Sequence, residues 1–181
     1  FGVNDNTRRQ WFAPAGFSRG ALGSVANVIV RVSAGDRDEL YENRINPIAT
    51  LPSAGTNNNP GFVIFGQKNL QAAFSALDRV NVRRLLLELK RQIIGVARRS
   101  LFDQNTAAAR ANFINEVTPR LAIVQAQQGI EQFKVVMDDS NNSAEDRLNN
   151  RLNGTIMVVP TRTAEFIAMD FIIDQAGVTF Q

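Results

Sequence analysis

The chain has 181 residues, 44% of them hydrophobic and 20% charged, with a formal net charge of +3. That balance fits a globular protein with apolar surface enough for one generous domain or two small ones, and not a disordered chain. Cysteine and histidine are both absent, which excludes disulfides, Cys or His metal centres, and nucleophile pairs that need an imidazole base.

The chain opens at Phe1 rather than at a methionine, which reads as a processed product or a portion of something longer. No apolar run approaches the length of a bilayer span, so no membrane-spanning helix is expected. Residues 1–35 hold turn material, Ala13-Pro14-Ala15-Gly16 and Arg19-Gly20, followed by Val28-Ile29-Val30-Arg31-Val32, which reads as a short strand. Asp36 to Asn43 is predicted as a short helix, with Asp36 as its cap and Glu39 three residues on in capping-box spacing. Pro47 ends any helix there, and Ile48 to Leu51 reads as extended. Residues 52–61 are rich in turn formers, and Phe62-Val63-Ile64-Phe65 reads as a short buried strand.

The most informative element follows, a helix predicted from Asp78 to Phe102. Between Arg79 and Arg99, seven basic residues (Arg79, Arg83, Arg84, Lys90, Arg91, Arg98, Arg99) stand against one acidic residue, Glu88, a local excess of six positive charges. At roughly 100° per residue, Val82, Leu85, Leu86, Leu89, Ile93 and Val96 share one apolar arc that can face a core. Arg83, Arg84, Lys90, Arg91 and Arg98 share the opposite arc, with Leu87 and Ile94 among them. Such a face reads either as a charged surface with two incidental exposed aliphatics or as a docking surface.

A second helix is predicted from Thr106, with Thr106 or Asn105 as its cap, towards Gly129. Pro119 removes a backbone donor and crowds the preceding turn. Phe113, Val117, Leu121 and Val124 keep helical spacing across it, so a kink is expected rather than a break. Phe133 to Met137 then reads as a strand, Asp138 to Arg151 as a polar loop, and Thr155 to Val159 as a strand ended by Pro160. Glu165 to Ile173 reads as a longer, apolar strand. Strands beside helices without regular alternation predict an α+β fold, two main helices packed on a small β-sheet. A sheet of about three strands leaves edges to cover. The terminal strand can pair inside its own domain or add to a neighbouring sheet, and the residues alone favour the former.

Few motifs carry chemistry. Gly16, Gly20 and Gly23 lack the lysine and the spacing of a phosphate loop. Asp138-Asp139, Glu145-Asp146 and Glu165 with Asp170 lack calcium-loop spacing and read as solvated turns rather than as a hydrolase site. No catalytic, cofactor-binding or metal residues are assigned. The basic arc could neutralise phosphates, and a basic nucleic-acid-binding module is the alternative reading. Against it, aromatics are not interleaved with the charges and no helix-turn-helix pattern is present.

Several strings, in order, resemble the C-terminal part of contractile phage tail sheath proteins. They are Trp11-Phe12-Ala13-Pro14-Ala15-Gly16 with Arg19-Gly20, Asn43-Arg44-Ile45-Asn46-Pro47, and Phe65-Gly66-Gln67-Lys68-Asn69-Leu70. Arg79-Val80-Asn81-Val82-Arg83-Arg84-Leu85, Leu101-Phe102-Asp103-Gln104-Asn105 and Pro160-Thr161-Arg162-Thr163-Ala164-Glu165-Phe166-Ile167 complete the set. The resemblance implies a structural subunit, not an enzyme and without cofactors, stacked as rings around a tail tube in the virion after assembly in the host cytoplasm. It implies that residues 1–50 are the end of an adjoining middle sheath domain with its linker. Residues 51–181 become a C-terminal inner domain whose small sheet is completed by strands from neighbouring subunits.

The implied partners are neighbouring copies, the tail tube protein, and baseplate and tail terminator proteins, with no direct membrane or nucleic-acid binding. Tube contact then falls to Arg83, Arg84, Leu87, Lys90, Arg91, Ile94 and Arg98. Strand exchange between subunits falls to Glu165, Phe166, Ile167, Ala168, Met169, Asp170, Phe171, Ile172 and Ile173, which reverses the preference for pairing within the domain.

Overall fold

The computed structural model describes residues 1–7, 9–51 and 61–169. The turn-forming stretch expected at 52–61 lies outside them apart from Gly61, as do Asp170, Phe171, Ile172 and Ile173 of the expected terminal strand. The elements in order are α1 (Gly2–Thr7), α2 (Ala34–Glu42), β1 (Ile48–Leu51), β2 (Gly61–Ile64), a short 3-10 turn (Ala76–Asp78), α3 (Val80–Arg99), α4 (Ala107–Ala126), β3 (Ile130–Val136), α5 (Ala144–Leu148) and β4 (Thr155–Pro160). The fold is α+β, as the unpatterned mixture of helices and strands predicts.

The long helices carry the core. Val82, Leu85, Leu89 and Val96 of α3 are buried, and so are Phe113, Val117, Leu121 and Val124 of α4. Leu85, Leu89, Val96 and those four α4 residues form one cluster with Trp11, Ile130 and Met137. Thr106 caps α4 by accepting from the Ala109 amide, and the helix runs through Pro119. The proline is tolerated because it sits on the exposed side, opposite the buried stripe. Arg99 of α3 pairs with Glu116 of α4 at the outer edge of the contact. Trp11 plugs the end of the core, its indole N–H donating to the Gln127 carbonyl at 3.0 Å. A Cβ on Gly129 would stand 2.6 Å from Val124 Cγ1 and 3.1 Å from Trp11 Nε1, which leaves room for glycine alone.

Among the described residues the strands form two antiparallel ladders rather than one sheet of about three strands. β1 pairs with β2, and β3 pairs with β4 with an irregularity between Ile130 and Gln132. The far side of β2 is covered by the 16–22 segment: the Leu22 amide donates to the Phe62 carbonyl at 2.8 Å and the Ile64 amide to the Gly20 carbonyl at 2.8 Å. A Cβ at Gly20 would lie 2.7 Å from the Ile64 carbonyl oxygen, so this close approach needs a glycine. In β4, Ile156 and Val158 turn towards the core while Met157 and Val159 stay exposed. Among the described residues β3 and β4 pair with each other alone. A lone two-stranded ribbon is marginal in water, and here its inner face is held by α4.

Several local expectations are corrected. Gly2–Thr7 is helical where only turn material was expected. Val28 to Val32 forms no strand: among the described residues none offers it a ladder, and Ile29 and Val30 stand exposed. α2 begins two residues earlier than predicted, because Ser33 is the cap and Asp36 is its capping-box partner rather than the cap itself. The stretch from Asp138 to Arg151 is not all loop: Ser143 and Asp146 close a second capping box that starts α5. Buried Asn142 braces this turn, donating to the Asp138 and Asn153 carbonyls and accepting from the Asn153 amide at 2.7 Å. Ser143→Ala should cost about 1 kcal/mol, the usual worth of such a cap, seen as a lowered midpoint in urea. Among the described residues, 165–169 form no strand and none pairs with them.

Candidate assembly surfaces

The outward face of α3 separates into two groups once its partners are placed. Arg84 donates to both carboxylate oxygens of Asp5, at 2.7 and 2.6 Å, and lies over the Phe1 ring. Arg91 pairs with Glu88 one turn back, at 2.7 Å. Arg83, Lys90 and Arg98 are exposed and, among the described residues, have no acidic partner within 4.0 Å. Leu87 and Ile94 are 52% and 48% exposed. In order, Arg83, Leu87, Lys90, Ile94 and Arg98 alternate cation and aliphatic within an arc of about 80° at the helical period. The structure therefore brings five of the seven expected contact residues into one open stripe, with Arg84 and Arg91 engaged at its flank.

Glu88, the one acidic residue of this helix, is mostly buried. Burial would raise its carboxyl, but hydrogen bonds from Arg91 and Gln92 outweigh that and hold it low. It remains charged and ties down a neighbouring arginine.

The second surface is the exposed apolar run after Glu165. Phe166, Ile167 and Met169 are exposed, the first two at 83% and 79%. Immediately before them sits a polar junction that the sequence did not reveal. Arg79 grips Glu165 with two hydrogen bonds, Nε to Oε1 at 2.7 Å and Nη2 to Oε2 at 3.0 Å. The Tyr41 hydroxyl donates to Oε2 at 2.7 Å. Buried Gln67 donates through Nε2 to Thr163 Oγ1 at 2.6 Å and to Glu165 Oε1 at 3.1 Å. Asp78 completes the charge balance, 2.8 Å from Arg79 Nη1, and Lys68 Nζ lies 4.0 Å from the Tyr41 ring centroid.

Burial raises the Glu165 carboxyl, yet the bonds from Arg79, Tyr41 and Gln67 prevail and leave it below its ordinary value. The Tyr41 hydroxyl is pushed up, by burial first and then by the adjacent carboxylate. Three of the strings singled out in the sequence, those containing Gln67, Arg79 and Thr163 with Glu165, meet at this junction. The other acidic clusters have structural work: Asp138 accepts from Ser140, Asp146 from Ser143, and Asp139 from Arg110 and Arg147.

No family model matches the chain. Among curated proteins it is 33% identical over 176 residues to the tail sheath protein of Vibrio phage KVP40, covering 97% of this chain and 25% of that protein. It is 32% identical over 176 residues to the tail sheath protein of Enterobacteria phage T4, covering 97% of the chain and 26% of that protein. The tail sheath protein of Salmonella phage ViI is 30% identical over 159 residues, covering 88% of the chain and 24% of that protein. The chain thus spans about a quarter of the length of these curated relatives.

Its fold matches a chain in the cryo-EM structure of the anti-feeding prophage baseplate, with a TM-score of 0.81 at 23% identity over 96% of this chain and 48% of that one. A chain of the anti-feeding prophage helical sheath in its contracted state matches with a TM-score of 0.80 at the same identity and coverage. The resemblance to contractile tail sheath proteins is borne out.

Proposed function

We propose that this chain, similar over 97% of its length to tail sheath proteins, is a non-enzymatic, force-transmitting segment of a sheath subunit that polymerises around a tail tube. Residues 1–50 are assigned to the end of an adjoining domain and its linker, and 51–181 to the inner domain, with Trp11 joining the two through the shared core. The observation that carries the reading is the pairing of two unlike surfaces on one small body: the open basic–aliphatic stripe of α3 and the exposed apolar segment after Glu165.

The stripe of Arg83, Leu87, Lys90, Ile94 and Arg98, flanked by Arg84 and Arg91, suits an acidic tube surface with apolar recesses. Each exposed ion pair contributes about 0.2–1 kcal/mol. Repetition around a ring multiplies weak contacts into a strong hold that can still release when the geometry changes. The segment from Glu165 through Phe166, Ile167, Ala168 and Met169 and on to Ile173 would add as a strand to a neighbour. Backbone hydrogen bonds and alternating side-chain pockets hold such a strand while domains rotate. The edges of the β3–β4 ribbon that stay unpaired among the described residues, with Met157 and Val159 exposed beside them, are the natural receivers on the next copy. Baseplate and terminator proteins would cap the two ends of the sleeve.

Negative-stain microscopy of the full-length subunit, alone and with its tube protein, tests this. Regular sleeves or rings that vanish when residues 164–181 are removed are the expected result. A monodisperse subunit indifferent to that truncation would overturn it and move attention to α3 as a nucleic-acid site.

A further inference from the structure

Among the described residues, Glu165 is the last that makes a hydrogen bond, and the apolar residues after it are exposed. Whatever the arm does, it does from this point. We propose that the Glu165 carboxylate, gripped by Arg79, Tyr41 and Gln67, is the anchor that sets the direction in which the C-terminal arm leaves the body of the subunit. The anchor rests on the proposed strand addition to a neighbour for its mechanical meaning, since a fixed exit direction matters only if the arm engages a neighbour.

The geometry is that of a hold rather than of a surface ion pair. Arg79 presents the guanidinium fork to both carboxylate oxygens, which resists rotation about the side chain as a single bond cannot. Tyr41 and Gln67 occupy further acceptor positions, so donors from three places in the fold converge on one group: α2, the segment after β2, and the start of α3. Charge-assisted bonds that are partly shielded from water are stronger and less screened than exposed ones. Gln67 also holds Thr163, two residues upstream, so the chain is fixed at two successive points before it departs.

Arg79 also breaks a local rule. It occupies the N-cap of α3 and makes no capping bond there, and the first turn holds no acidic residue. N-caps favour Ser, Thr, Asp or Asn, and a cation at a helix N-terminus opposes the helix dipole. Local helix chemistry therefore does not account for an arginine at this position; Glu165 and Asp78 do. Because Arg79 is the residue from which α3 departs, load arriving along the arm enters the same helix that displays the stripe.

The charged and titratable groups facing the anchor are Arg79 and Asp78 before α3, Tyr41 on α2, and Lys68 over the Tyr41 ring. Arg19 lies along the groove on one side and Arg162 on the other. Tyr41 keeps its proton throughout the range in question. Glu165 titrates below its ordinary value of 4.5, so its contribution is complete above that pH and is lost as pH falls through the lower folded value.

The chain contains no cysteine, so Ala168→Cys places a nitroxide label on the arm, with any cysteine elsewhere in the full-length subunit replaced. In the unassembled full-length subunit at pH 7, the label should show a restricted component. That component should be lost in Glu165→Gln and in Arg79→Gln, and be intermediate in Arg79→Lys, which keeps the charge but not the fork. On acidification below pH 4.5, with far-UV circular dichroism confirming that the helices persist, the label should loosen in the parent protein and show no step in Glu165→Gln. Unchanged label motion in both Gln variants, or an equal acid step in Glu165→Gln, overturns the anchor. Freed label motion with sleeves that assemble and contract as before leaves the anchor standing and removes the proposed strand addition instead.

Discussion

Replacing Leu87 and Ile94 together by aspartate should remove binding to an acidic tube surface by at least about tenfold per subunit, the effect of some 1.4 kcal/mol, and leave thermal unfolding nearly unchanged. Both side chains are about half exposed, so the fold loses little by giving them up, and surface changes of this kind usually stay within about 0.5 kcal/mol. The assembly loses on two counts. Two apolar contacts disappear, and two carboxylates arise between Arg83, Lys90 and Arg98, where they pair with those cations and repel an acidic partner. Repetition around a ring then turns a modest per-subunit loss into failure to form sleeves. Co-sedimentation with preassembled tubes, beside a circular dichroism melt, reads both halves. Tube binding equal to that of the parent would remove α3 from the interface.

The division of α3 into two faces was legible in the sequence because helical periodicity over 20 residues is a strong signal. Its buried arc follows the predicted set closely, and Leu87 and Ile94 do emerge on the outer side. The fate of individual cations was not legible. Arg84 looks equivalent to Arg83 along the chain, yet it is taken up by Asp5, 79 residues away. The same limit hid the anchor: Glu165 meets Arg79 and Tyr41 across 86 and 124 residues. Arg79 becomes an oddity only once the structure makes it the N-cap of α3; along the chain, the one available signal was a carboxylate at the head of an apolar segment.

The starts of α2 and α5 failed for a different reason. Ser33-Ala34-Gly35-Asp36 and Asp36-Arg37-Asp38-Glu39 both carry capping-box spacing, and the three-residue offset decides the first turn. α5 was missed because five residues cannot show a hydrophobic period, so only Ser143 and Asp146 announce it. Val28 to Val32 has strand composition but no pairing strand among the described residues, and composition alone does not make a ladder.

Leu85→Ala should lower stability by about 2–5 kcal/mol, as truncations of fully buried leucines do, while Leu87→Ala two positions away should cost under about 0.5 kcal/mol. Leu85 is 1% exposed and lies in the cluster that joins α3 to α4 and Trp11, so its loss removes contacts and opens a cavity that the two helices can close only in part. Urea unfolding of both variants gives the comparison directly, with an unchanged slope showing that the native state keeps its compactness. Tube binding should reverse the order: Leu85→Ala should bind normally wherever it is folded, and Leu87→Ala should bind more weakly. That reversal is what the proposed sleeve contact would require of this helix. On the proposed function, one arc would hold the domain together under load and the other would carry contacts weak enough to let go, so each could change without the other. Equal stability costs for the two substitutions would show that α3 is not divided in this way.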